Sequence, residues 1–205
     1  MNKILLFLFF TPLIISAQIN LDSTSKTFAF SKVYDVQKSK TELNQQVQEW
    51  IAINFKDANE VIKLNTEDKI ITKGYFDISY TNAGYSIPGK IYFVLETSFK
   101  ENKYKLDLHT FELKQKEYTF PVENYYFAND YDFYVELLKA QSSQFKDKFS
   151  IKYYDKLFKN PEKLRELYND YNLVASEITT EINQHVEAYA QSLFQYIVKN
   201  DSKDW

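Results

Sequence analysis

The chain of 205 residues has no cysteine, three glycines and two histidines. Without cysteine there is no disulfide, no thiolate metal ligand and no thiol nucleophile, and no attachment point for a lipoprotein anchor. So few glycines argue against a glycine-rich phosphate loop. The 25 basic and 28 acidic residues give a mild net acidity, which favours neither nucleic acid nor an anionic lipid surface as a partner.

The common catalytic motifs are also missing, including G-x-S-x-G and H-E-x-x-H. His109 and Asp107 share one face of a predicted strand, which is compatible with a metal or acid–base pair. No third ligand lies nearby in sequence, so we interpret this face as solvated surface. His185 lies beside the apolar stripe of the last helix and is interpreted as a packing residue. We therefore expect no cofactor, no metal and no catalytic residue, with a carboxylate-based hydrolase as a minor alternative.

The N-terminal residues 1–17 have the pattern of a removable secretory signal. Lys3 precedes an apolar run at 4–15, and Ser16 and Ala17 then supply small residues before a cleavage site. The run is too short for a membrane-spanning helix, which needs about 20 apolar residues; an uncleaved anchor is the alternative. The pattern predicts export to the periplasm or the medium, followed by a flexible leader at 18–26.

Aromatic residues are abundant, with 17 Tyr and 17 Phe, and this favours a substantial β-sheet. Residues 27–36 are rich in strand formers and predict a first strand. Ser39 and Glu42 form a capping box at the start of a helix predicted over 40–56. Trp50 is the largest residue of that helix's apolar stripe.

Three runs of alternating apolar residues follow, at 70–80, 91–99 and 104–110. Strict alternation predicts strands with one buried face. Residues 81–89 contain an asparagine, two glycines and a proline, so a loop is expected there. Short connections between the runs predict an antiparallel meander.

The remainder of the chain is predicted to be helical or irregular. Residues 114–172 are interpreted as an insertion, irregular at first and then helical from about 131. Apolar residues at helical spacing continue from Leu164 to the end of the chain, enough for one helix of about 60 Å. Because Asn and Asp at 169–172 compete with helix hydrogen bonds, we expect a break there and a C-terminal helix at 173–199.

A short apolar stretch at 61–64 precedes the three runs as a further strand, so the resulting order of elements is β-α-β-β-β-β-α. Residues 49–58 (EWIAINFKDA) and 70–76 (IITKGYF) resemble a family of exported bacterial domains of unknown function with a fold like that of the TATA-box-binding protein. The resemblance covers roughly residues 27–113 and, more loosely, the last helix. It implies an α+β fold, with helices packed on one face of an antiparallel sheet. It implies no activity, and the fold name is no argument for nucleic-acid binding.

The second face of this sheet is predicted to be too apolar for plain solvent surface. We expect residues 114–170 to cover it; the alternative is a recognition surface. The apolar residues assigned to this face are Ile71, Tyr75, Tyr92, Val94, Phe111 and Leu113. The candidate binding residues are Tyr75, Tyr92, His109 and Phe111.

These observations favour a non-catalytic domain of the cell envelope that binds a protein or a polymer such as a glycan. A carrier that holds a lipid-like molecule between sheet and helices is the alternative. A closed apolar pocket would favour the carrier, whereas a flat aromatic patch would favour the binding domain. After removal of the signal, no membrane-spanning segment is expected.

Overall fold

The computed structural model describes residues 19–21, 27–55, 57–126 and 130–199. The predicted signal peptide and most of the predicted leader lie outside these residues. The described residues form an antiparallel sheet with helices packed on one of its faces. This confirms the predicted α+β fold class.

In the described residues the sheet has seven strands, and every paired neighbour is antiparallel. Their order is β1-β2-β6-β5-β4-β3, and β7 also pairs with β6. The central strands follow one another along the chain as the meander predicted. The strands are β1 (Asn20–Leu21), β2 (Phe28–Asp35), β3 (Ile62–Asn65), β4 (Lys69–Asn82), β5 (Tyr85–Lys100), β6 (Lys103–Gln115) and β7 (Tyr118–Pro121).

Six helices accompany the sheet in the described part of the chain. The predicted capping box begins α1, where the Ser39 side chain accepts from the Glu42 N–H and the Glu42 carboxylate accepts from the Ser39 N–H. The helices are α1 (Lys40–Asn54), α2 (Ala58–Val61), α3 (Glu123–Tyr126), α4 (Tyr131–Ser142), α5 (Lys148–Phe158) and α6 (Pro161–Lys199).

One hydrophobic core joins α1, the C-terminal part of α6 and one face of the sheet. Trp50 is 1% exposed and shares this core with Phe76, Phe93 and Leu106, as the sequence predicts. The Trp50 indole N–H donates to Ser192 Oγ on α6 at 3.0 Å, so the large ring is buried with its polar atom bonded. We call this the inner face of the sheet, and the opposite one the outer face.

The predicted break at 169–172 is wrong, because α6 is a single helix of 39 residues. Tyr171 packs inward and donates from its hydroxyl to the Asn124 carbonyl at 2.6 Å, while Asn169 and Asp170 are exposed to solvent. Side-chain packing before and after this segment therefore outweighs the weak helix propensity of Asn and Asp. The first turns of α6 carry a second small core with α4 and α5, formed by Tyr134, Leu157 and Leu164.

The loop predicted at 81–89 is also wrong. A turn at Ala83 and Gly84, with φ angles of 49° and 81°, joins β4 directly to β5. Pro88 and Gly89 lie within β5, in the stretch before the strand begins to pair with β6 at Lys90. There β5 has a single strand neighbour, so the missing proline N–H costs little.

Two segments predicted to be irregular contain short strands. β7 pairs with the end of β6 after a turn at Lys116, where φ is 52°. Within the predicted leader, β1 pairs with β2, and the Ile19 N–H donates to Asn183 Oδ1 on α6 at 2.9 Å. Ile19 is buried in the main core, so this part of the leader belongs to the folded domain.

Candidate binding surface on the outer sheet face

A bulge in β6 decides which side chains reach the outer face. Val94 pairs with His109 and Tyr92 pairs with Glu112, so one residue of β5 faces two residues of β6. Thr110 has a φ of 55° within this bulge, which is uncommon for a β-branched residue. The extra residue moves Phe111 to the inner face, where it is 1% exposed.

Phe111 is therefore wrong as a candidate binding residue, and Leu113 is likewise buried on the inner face. The alternation before the bulge assigned both to the outer face. A bulge inserts one residue, and after it every side chain of the strand points to the opposite face.

The insertion does not cover the outer face, contrary to expectation. Its helices α4 and α5 pack on the first turns of α6 through their own small core. On the outer face, Tyr75 stays 43% exposed and Val33 is 53% exposed. This face is therefore open to solvent at its aromatic residues.

Tyr75 and Tyr92 lie directly opposite each other on β4 and β5, with ring centroids 5.5 Å apart; we call them the aromatic pair. Lys90 Nζ lies 4.1 Å from the centroid of the Tyr75 ring and 2.7 Å from Asp77 Oδ1. The hydrogen bond with Asp77 raises the pKa of Lys90. Lys114 Nζ lies 5.9 Å from the Tyr92 ring. Both rings are thus held beside ammonium groups at the surface.

His109 lies on the same face, next to the aromatic pair. It occupies the β6 position opposite Val94, and its Nδ1 is 2.8 Å from Thr110 Oγ1. The Asp107 carboxylate forms an ion pair with Lys105, whose Nζ lies 2.8 Å from Oδ1. The structure therefore brings together three of the four predicted residues on one face: Tyr75, Tyr92 and His109.

A groove that the sequence did not predict runs beside the aromatic pair. Its volume is about 640 Å³, and it lies where β3 ends and leaves the edge of β4 open. From the outer side it is lined by the aromatic pair, and from the inner side by Phe55, Gly74 and Tyr189. The groove therefore connects the two faces around this edge of the sheet.

The inner wall of the groove depends on a glycine. The Phe55 and Tyr189 rings stack at a centroid distance of 5.9 Å. A Cβ atom at Gly74 would lie 2.6 Å from Phe55 Cε1, so only glycine permits this close approach. Burial raises the pKa of the Tyr189 hydroxyl. In the sequence, the available signal for this wall was Gly74 within the segment 70–76 that carries the resemblance.

Charged residues line the rim of the groove. Asp57 caps α2 by accepting from the N–H groups of Asn59 and Glu60. Lys63 Nζ donates to the Glu60 carbonyl. Lys73 makes no ion pair within the described ranges, so its charge is available to a partner.

Among the described residues, no three or more His, Asp or Glu side chains come together to hold a metal ion. No described helix is both long enough and apolar enough to span a bilayer.

The sequence between β2 and the end of β6 matches a known family. Residues 30–114 match the family model DUF4468, described as a domain of unknown function with a TBP-like fold. This segment is therefore similar to DUF4468 domains. It contains the aromatic pair, His109 and the open edge of β4, whereas α4, α5 and α6 lie beyond the matched residues.

Two solved structures are similar to parts of the chain. A DUF4468 family protein from Bacteroides ovatus has 16% identity and a TM-score of 0.41, over 48% of this chain and 62% of that one. A TBP-like protein from Parabacteroides distasonis has 11% identity and a TM-score of 0.40, over 47% of this chain and 67% of that one. The chain thus spans less than two thirds of the first protein. No curated protein matches the chain.

Proposed function

We propose that this protein is an exported, non-catalytic binding domain of the cell envelope that recognises a partner through the outer face around the aromatic pair. The export part rests on the signal pattern at residues 1–17. The recognition part rests on one observation: Tyr75 and Tyr92 lie together on an open sheet face, beside lysines and a groove.

Exposed tyrosines suit recognition because each presents an apolar ring and a hydroxyl with little side-chain entropy to lose. Lys90 contacts both Asp77 and the Tyr75 ring. These contacts limit the rotation of that ring in the free protein. A partner that covers the pair would remove apolar surface from water and keep the hydroxyl groups at the rim.

The groove favours a binding domain over a lipid carrier. A carrier needs an enclosed, largely apolar cavity. The groove instead opens to solvent along the β4 edge, and charged residues stand on its rim. Its aromatic residues line two walls, Phe55 and Tyr189 on the inner side and the aromatic pair on the outer side, and do not enclose a cavity.

Site-specific photocrosslinking in the host envelope tests the proposal. A benzophenone amino acid is placed at Tyr75, at Tyr92 and, as a control, at Phe149 on α5, which is 84% exposed. We expect a discrete adduct from the two outer-face positions and none from Phe149. Equal labelling at all three positions, or no adduct at any, would contradict recognition by this face.

Two companion measurements complete the test. Tyr75→Ser combined with Tyr92→Ser should abolish an adduct formed from a crosslinker at Lys114 while the protein stays folded. Tyr75 is exposed and Tyr92 is half-buried, so each substitution should cost less than about 1 kcal/mol. Mass spectrometry of the exported protein should give Gln18 as the mature N-terminus. Retention of the signal sequence would contradict the export part alone.

A further inference from the structure

Strand β4 has an open edge beside the groove. Its last pair with β3 is Thr72 with Ile62, yet β4 continues to Asn82. Over residues 73–82 the described chain therefore provides a strand neighbour on the β5 side only. Edges of this kind are usually shielded, since their free N–H and C=O groups are templates for another strand.

The turn at Ala83 and Gly84 shows which backbone groups point to this edge. Both residues have positive φ angles, as in a two-residue type I′ turn, whose flanking residues Asn82 and Tyr85 bond to each other. Antiparallel pairs alternate, so the odd-numbered residues of β4 direct their N–H and C=O groups away from β5. Thr81 fits this rule, because its N–H donates to the Glu177 side chain of α6.

The edge is closed at both ends and accessible between them. At one end the Glu177 carboxylate accepts a hydrogen bond from the Thr81 N–H, and at the other end Ile62 of β3 pairs with Thr72. Between them, no described strand pairs with this side of β4, and the groove lies along the strand at residues 73–77. A strand added here would lie about 4.8 Å from β4 and would place alternate side chains on the two sides of the sheet.

We infer that the partner recognised by this surface is an extended polypeptide segment that adds to the β4 edge along residues 73–79. The inference rests on the proposed function and specifies its partner. Polypeptide in the β conformation is the polymer whose donors and acceptors repeat with the two-residue period of this edge. A glycan has no such repeat. The segment spans about 23 Å, or roughly seven residues.

The walls of the groove specify the side chains of that segment. On the inner side, the space bounded by Phe55, Gly74 and Tyr189 accepts an apolar or aromatic side chain. On the outer side, a residue opposite Lys73 is acidic, because that ammonium has no ion partner among the described residues. A residue beside Tyr75 is apolar, to extend the aromatic pair.

Selection of a surface-displayed library of random eight-residue peptides on the full chain provides the probe. Selected peptides should alternate apolar residues with polar ones that include an acidic residue. Methylating the peptide's backbone nitrogens one at a time should weaken binding about tenfold or more at every second residue, and little at the residues between. This two-residue period is the signature of strand addition.

A matched pair of variants tests the protein side. Asp77→Ala and Asp77→Pro both remove the ion pair with Lys90, but only proline removes an N–H that faces the edge. Proline is tolerated at strand edges. Because both variants lose this ion pair, they are compared with each other: we expect Asp77→Pro to bind a selected peptide at least about tenfold more weakly than Asp77→Ala. Circular dichroism checks that both variants fold.

The outcomes separate this inference from the proposed function. If Asp77→Pro does not fold, the methylation series decides alone. Failure to select a peptide, or methylation effects without a two-residue period, overturns strand addition. So does a concentration-dependent doubling of mass that Asp77→Pro abolishes, because a second copy would then occupy the edge. If adducts at Tyr75 and Tyr92 persist in these cases, the binding function stands with a partner of other chemistry.

Discussion

The two faces of the sheet differ in burial, although alternate residues of the same strands form both. On the inner face, Phe76 and Phe93 are buried with Trp50 under α1 and α6. On the outer face, Tyr75 and Tyr92 remain at the surface beside charged groups. The aromatic rings of the inner face thus stabilise the fold. Those of the outer face leave apolar surface that a partner can cover.

Removing Trp50 should have the largest effect on stability. Trp50→Ala deletes the largest fully buried side chain and its hydrogen bond to Ser192, and should lower the free energy of unfolding by about 3–5 kcal/mol. Tyr92→Ala on the outer face is the control and should cost less than about 1 kcal/mol. Urea unfolding measures both, and similar losses would show that the faces are energetically alike.

Gly74→Ala tests the place where the two faces meet. The new Cβ would lie 2.6 Å from Phe55 Cε1 and 3.1 Å from Phe93 Cζ, so the Phe55 ring must move. We expect a loss of about 1–3 kcal/mol in thermal unfolding. Lys73→Ala, the neighbouring outer-face change, should be nearly neutral. Strand propensity alone would make Gly74→Ala stabilising. A measured gain in stability would therefore show that the Phe55 ring can move at little cost.

Tyr104→Phe should have a smaller effect, and of opposite sign. The Tyr104 hydroxyl is buried without a hydrogen-bond partner in the described structure, and its ring stacks on Tyr34 at 4.8 Å. Deleting the hydroxyl should raise stability by about 1 kcal/mol at neutral pH, as measured by urea unfolding. Tyr75→Phe, on the exposed outer face, should change stability by less than half of that.

Tyr104→Phe should also differ from wild type in alkali. Burial raises the pKa of Tyr104 above its ordinary value and that of Tyr34 to about 12. Their neutral forms therefore stabilise the folded state fully below pH 10, and this stabilisation is lost as pH rises, because the unfolded chain ionises first. Tyr104→Phe should lose less stability than wild type between about pH 10 and 12. Parallel curves for the two proteins would contradict the assigned burial.

Local patterns were sufficient for much of the fold. The capping box at Ser39 placed the start of α1, and alternation identified the buried residues of β4 and β5. Both signals depend on neighbours within a few residues, where side-chain direction follows from backbone geometry. Two of the errors arose at Thr110 and at 169–172, where a bulge and distant packing overrode the local pattern.

The candidate site was predictable only in part. Tyr75 and Tyr92 were found because alternation carries a side chain reliably to one face of a regular strand. The groove wall was missed, since Phe55 and Tyr189 come from distant parts of the chain and meet only in the folded core. The open β4 edge was missed as well, because strand pairing, and not composition, determines where an edge lies.

The sequence by itself determined the order of the main strands, the first helix, the common core around Trp50 and the aromatic character of the outer face. These follow from periodicity and capping, which act over short distances. Only the tertiary structure decided that α6 continues unbroken, that Phe111 turns inward and that the outer face stays uncovered. Each of these depends on which distant surfaces pack together, and a local pattern leaves that choice open.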